Sequence, residues 1–191
     1  MYIVKNTNLN EITIKNSKFI ALVYPVDNIT DINNILTKTK QKYKDATHIV
    51  YAYKLINNQK YSDDKEPSGT AGLPIMEIID KKNLINILII VIRYFGGIKL
   101  GAGGLIRAYS NATKEVLLKT EIKPYIKYNY YMLSCDYDNL KLLNTLCANL
   151  EIIQKTFNEQ IKYQIKIKDE EDNIQNIFKN TKIIVQKIEN I

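Results

Sequence analysis

Apolar and polar positions alternate along some stretches of this chain and recur every three to four residues along others, and the switches predict its elements. In residues 18–26, Phe19, Ala21 and Val23 alternate with Ile20, Leu22 and Tyr24, which predicts a strand paired with a second one over residues 11–14. Capping residues at 27–31 then open a helix to about residue 43, with Ile32, Ile35 and Leu36 on one face. Residues 47–56 are β-branched and aromatic, hence a strand, and residues 57–60 read as a turn. A long loop over 63–72 precedes a short helix at 73–79, where Pro74 suits the first turn. Residues 84–93 are almost continuously apolar, the pattern of a strand buried on both faces. Residues 105–119 return to a helical period, with Leu105, Tyr109, Ala112, Val116 and Leu117 on one side.

Lys123-Pro124 marks a boundary, and a new pattern follows it. Residues 127–135 predict a strand with three tyrosines, 138–150 a helix, and 151–157 and 160–168 two strands. The acidic run 169–172 suits the positive end of a helix carrying Ile174, Ile177 and Phe178, and 182–188 close the pattern with a strand. The order βαββαβ is that of a ferredoxin-like sandwich. The chain is thus expected to be α+β, with domains over residues 1–124 and 125–191.

Charge sharpens this division. Residues 1–124 hold 18 Lys and Arg against 11 Asp and Glu, whereas residues 125–191 hold nine of each, so the whole net charge of +7 lies in the first domain. A basic domain favours anionic partners such as RNA, ribosomes or phosphorylated metabolites; lysine enrichment for solubility gives the same sign. Two cysteines, Cys135 and Cys147, make neither a disulfide framework nor a zinc spacing, and Cys147 falls on an apolar helix face. The N-terminal residues lack a signal pattern, and no apolar run approaches the ~20 residues of a spanning helix, so a soluble, cytoplasmic protein without membrane contact is expected.

Candidate chemistry concentrates in one region. All seven glycines lie between Gly69 and Gly104, and the only two arginines are Arg93 and Arg107. Neither nucleotide motif fits: Ile106 stands where G-x-G-x-x-G needs its third glycine, and the Gly96–Gly101 spacing lacks the Lys and Ser/Thr of a Walker A loop. The loop instead reads as an anion site, with backbone amides of 101–105 at a helix start and Arg93, Lys99 and Arg107 beside them. A tight strand-to-helix connection with a buried Arg–carboxylate pair is the structural alternative. Tyr94 and Phe95 offer flat surfaces for stacking, although the strand period turns one of the pair to the core. Asp63, Asp64 and Glu66 have three readings: hydrated Mg²⁺, ion pairs with Arg93, Lys99 or Arg107, or turn and cap bonding with Ser68 and Thr70; ion pairs and turns are favoured. His48 is the sole histidine, in a strand pattern where a structural role is commoner. The candidate binding set is Arg93, Tyr94, Gly96, Gly97, Lys99, Gly101, Gly103, Gly104, Arg107, Asp63, Asp64, Glu66, Ser68, Thr70 and His48, with no catalytic residue, metal or cofactor assigned.

These residues carry a resemblance. Ser62, Asp63, Asp64, Glu66, Pro67, Gly69, Thr70, Ala71, Gly72 and Pro74 form one block, and Arg93 to Gly97 with Leu100, Gly101 and Gly103 to Leu105 a second. A third comprises Asp45 to His48, Tyr51, Ala52 and Tyr53. Together they resemble the YigZ/IMPACT family in its bacterial two-domain form. Lys65 departs from the pattern, because the family usually has Gly there, and Ile49 stands where a polar residue is common. The resemblance implies an N-terminal domain of the ribosomal-protein/GHMP-kinase type, with helices on one face of its sheet, similar to the fourth domain of elongation factor G. The ferredoxin-like domain then resembles the fifth domain of that factor. It implies a non-enzymatic, translation-linked regulator that binds RNA, the ribosome or a ribosome-associated partner. The alternative is a Mg-dependent enzyme, or a sensor of a phosphorylated small molecule that uses the Gly-rich loop.

Overall fold

A computed structural model describes residues 1–189 of the protein. The chain forms two compact units, Met1–Tyr125 and Ile126–Ile191.

In the first unit, β2 (Asn8–Ile14), β3 (Ser17–Pro25), β4 (His48–Lys54), β5 (Gln59–Ser62) and β6 (Ile87–Tyr94) build one sheet, ordered β2-β3-β6-β4-β5. Neighbouring strands are antiparallel throughout. The alternation seen in the sequence sorts their side chains to two cores. Phe19, Ala21, Val23, Val50, Ala52, Ile87, Ile89 and Val91 face α2 (Gly72–Lys81) and α3 (Ala102–Leu118). Ile20, Leu22, Ile49, Leu88, Ile90 and Ile92 pack instead with Ile32, Ile35 and Leu36 of α1 (Ile29–Lys42). The expectation of helices on one face only is therefore corrected. The central strand β6 is apolar at successive positions, so water must be excluded from both sides of the sheet, and α1 covers the second.

Three features escaped the sequence pattern. β1 (Tyr2–Val4) and β7 (Ile122–Pro124) pair as a two-stranded ribbon. β5 begins at Gln59, inside the stretch read as a turn, and completes a hairpin with β4. The β2–β3 turn is Lys15-Asn16, both at positive φ (46° and 63°), a two-residue connection without the usual glycine.

In the second unit, β8 (Tyr128–Cys135), β9 (Glu151–Phe157), β10 (Ile161–Lys168) and β11 (Ile184–Ile188) follow the order β11-β8-β10-β9, all neighbours antiparallel. With α4 (Leu140–Leu146) and α5 (Ile174–Ile177) this is a βαββαβ arrangement. Both helices are shorter than expected; 3-10 turns at Tyr137–Asn139 and Asp169–Glu171 replace their first turns. Cys135 and Cys147 are buried among Leu133, Leu143, Ile165 and Phe178. Burial pushes the Cys147 thiol up to about 11, so it is a packing residue and not a nucleophile. The acidic run also does more than cap α5. Asp172 accepts the Ile174 amide at 3.3 Å and also binds Asn129 and Tyr131, both at 2.6 Å, while Asp169 holds Lys127 and Asn129.

Candidate functional site

The loop between β5 and α2 is organised by its own carboxylates. Asp63 Oδ1 accepts the amides of Ala71 (3.1 Å) and Gly72 (2.8 Å), and Oδ2 that of Gly69 (2.9 Å). α2 has no side-chain cap at its N-cap residue, so Asp63 does this work from nine positions upstream. Gly72 is required here: a Cβ would lie 2.7 Å from the Ser62 carbonyl oxygen. Asp64 Oδ2 accepts the Ile49 amide at 2.6 Å, and its carbonyl accepts His48 Nδ1–H at 2.8 Å. Of the expected roles, Asp63 and Asp64 take the turn and cap bonding to backbone amides and not the pairing with arginine. Thr70 bonds the Pro67 carbonyl, and Ser68 is exposed on the loop surface.

Glu66 behaves differently. Its side chain is 3% exposed, and Oε1 receives Arg93 Nη1 at 2.6 Å and the Tyr109 hydroxyl at 2.8 Å. Arg93 comes from β6 and is itself 4% exposed, with its guanidinium flanked by the rings of Phe19 (5.6 Å) and Phe95 (5.4 Å). Burial, then the Glu66 carboxylate, raises the Tyr109 hydroxyl far above the ordinary phenol value, so Tyr109 stays a neutral donor. His48 completes the cluster. Its Nδ1 donates to the Asp64 carbonyl, and its Nε2 lies 3.8 Å from Glu66 Oε2.

The glycine loop brings α3 to this cluster. Gly96 crosses the Asn16–Ser17 backbone so closely that a Cβ would lie 2.1 Å from the Asn16 carbonyl, and its amide donates to Ser17 Oγ. Gly101, at φ 70°, turns the chain into α3. The first turn of α3 contains neither a side-chain cap nor an acidic residue, so its first amides have no side-chain partner. A cavity of about 350 Å³ lies between this turn and the buried cluster. His48, Glu66, Arg93, Lys99 and Gly101 line it, together with Phe95 and apolar side chains including Leu100 and Leu105.

The other candidates lie elsewhere. Tyr94 packs on the α1 side of the sheet and donates to Asp45, leaving Phe95 as the aromatic on the cavity. Arg107 is exposed and does not line the cavity; α3 carries it one turn past the first amides, so the two arginines do not converge. Gly97, Gly103 and Gly104 contribute backbone shape. Sequence reasoning missed Tyr109, which shares a helical face with plain core residues, and Thr47, whose Oγ1 accepts the Phe95 amide at 2.9 Å. Thr47 falls in the Asp45–His48 block, but no pattern in the sequence marks the Tyr109 hydroxyl.

Fold and site together define a two-unit α+β protein with a glycine-framed cavity over a buried Arg–Glu–Tyr–His cluster. Residues 15–117, more than half of the chain, match the Impact N-terminal domain. The chain is 35% identical over 177 residues to the IMPACT family member YvyE of Bacillus subtilis, covering 90% of this chain and 82% of that one. It is 34% identical over 164 residues to an IMPACT family member of Haemophilus influenzae, covering 82% and 80%. A crystal structure of a hypothetical protein superposes with a TM-score of 0.69 at 24% identity, covering all of this chain and 98% of that one, which is a likeness of fold. The chain belongs to the YigZ/IMPACT family.

Proposed function

We propose that this protein is a translation-linked regulator that acts by binding, with the Met1–Tyr125 unit engaging RNA, free or within the ribosome. The observation that carries the reading is the charge distribution: the entire excess of +7 belongs to this unit. Within it, Lys99 and Arg107 are exposed, the first just before α3 and the second just after its uncapped first turn in the chain. Phosphate groups are attracted to such a surface by charge and by amide donors together. The similarity of the two units to the fourth and fifth domains of elongation factor G, which the family resemblance implies, points the same way. A binding role also suits the charged core of the site, where Arg93 and Glu66 are committed to each other.

Ribosome pelleting and filter binding with total RNA at about 50 and 200 mM salt test the reading, because released counterions make phosphate contacts salt-dependent. Association is expected at the lower salt and a steep loss at the higher. The double substitution Lys99→Ala/Arg107→Ala should flatten the log–log slope by about two, one for each contact, with little change in sequence preference. No association at low salt would overturn the proposal.

A further inference from the structure

We propose that the cavity beside α3 binds a nucleoside monophosphate unit, with its phosphate on the α3 amides and Lys99 and its base edge on the open carboxylate oxygen of Glu66. Two buried side chains on the cavity wall leave hydrogen-bonding capacity unused. Glu66 Oε2 accepts no hydrogen bond among the described residues and lies 3.8 Å from His48 Nε2. Arg93 Nε is buried without a partner. A carboxylate oxygen that accepts no hydrogen bond on a cavity wall points to a ligand that donates an N–H or O–H. His48 flanks the same oxygen: its Nδ1–H is held by the Asp64 carbonyl, and its Nε2 lies 3.8 Å from Glu66 Oε2.

The opposite wall asks for an anion. The first turn of α3 is uncapped and free of acidic residues, and Lys99 stands beside it. Glu66 does not repel an anion there, because Arg93 neutralises it at 2.6 Å. Between the two walls Phe95 is 45% exposed and offers a ring for stacking. A volume of about 350 Å³ is at the small end of the range for ligand sites, which suits one nucleotide better than two. This inference goes beyond the RNA reading and does not rest on it: a free nucleotide and the phosphorylated end of an RNA chain present the same chemistry.

The test is calorimetric titration of the full chain with inorganic phosphate, each of AMP, GMP, CMP and UMP, and a short ribonucleotide oligomer with and without a 5′-phosphate. Ala102→Asp is the diagnostic variant. A carboxylate at the start of α3 favours the helix, so thermal stability should hold or rise, while nucleotide affinity should fall at least about tenfold. Lys99→Ala should cost about tenfold as well. Binding of free monophosphates, lost in both variants, supports the site with a soluble ligand. Binding of the 5′-phosphorylated oligomer alone, lost in the same variants, supports it with an RNA end. No binding of any probe, or affinity that survives both substitutions, overturns it. Inorganic phosphate binding as tightly as the monophosphates overturns the base contact and with it the nucleoside assignment. Ribosome association that persists while no nucleotide binds removes this site and leaves the RNA reading standing.

Discussion

At the scale of single residues, the site is held by a charge pair that the interior would not tolerate in halves. Arg93 and Glu66 are both buried, and Glu66 also accepts from Tyr109. Removing one partner of such a pair leaves the other charged and desolvated, at a cost of about 3–5 kcal/mol. Glu66→Gln is therefore expected to destabilise the first unit by about that amount, read from urea unfolding; a loss within ~1 kcal/mol would mean that Arg93 finds another partner. Lys65 makes a gentler prediction. Its φ of 69° lies in the left-handed region, and the family usually has glycine at this position. Lys65→Gly relieves the strain of a side chain there, offset by glycine's greater chain entropy, and should raise stability by about 0.5–1 kcal/mol. A lower melting temperature in that variant would show that the lysine side chain contributes more than its backbone costs.

At the scale of elements, the loop over residues 63–71 and α2 form one device. Asp63 gathers three amides, including that of Gly72 at the start of α2, so a single carboxylate sets both the path of the loop and the entry of the helix. Asp63→Ala should cost about 1–2 kcal/mol, the usual range for a lost cap, and should raise amide exchange at Gly69, Ala71 and Gly72 before the rest of the unit. Unchanged exchange at those amides would place the cap elsewhere. The glycine loop works in the opposite sense, through absence. Gly96 lets β6 leave the sheet against the Asn16–Ser17 backbone, and the first turn of α3, beside the cavity, carries no side-chain cap. Strand, loop and helix positions for β3, α1, β6 and α3 were legible because each buries a face with its own period. β1, β5 and β7 were not, because three- or four-residue edge strands have too few positions to show one.

At the scale of the whole molecule, the second unit carries an acid-sensitive pair of carboxylates. Asp169 is held below the ordinary carboxylate value by Lys127 and Asn129. For Asp172, burial alone would raise the value, yet Tyr131, the Ile174 amide and Asn129 together bring it below normal. A carboxylate lowered on folding contributes stability above its unfolded pKa, near 4, and loses that contribution as pH falls through the lower folded value. Amide protection in β8 should therefore fall as pH drops below about 4. Asp172→Asn should show weaker protection at neutral pH and a shallower acid dependence; an unchanged profile would remove Asp172 as the source.

By itself the sequence determined the α+β class, the alternation that builds both sheets, the two-sided burial of β6 and the concentration of chemistry between His48 and Arg107. These follow from local periodicity and from where glycine and arginine occur. Only the tertiary structure decided which charges meet. Sequence places Asp63, Asp64 and Glu66 within four residues of one another, but the turn they form sends the first two to backbone amides and the third to Arg93. It likewise separates Arg93 from Arg107 and adds Tyr109 from a helix face that reads as plain core. The reason is physical: burial and hydrogen-bond satisfaction are settled by residues far apart in the chain, and no local pattern records which distant group will be there.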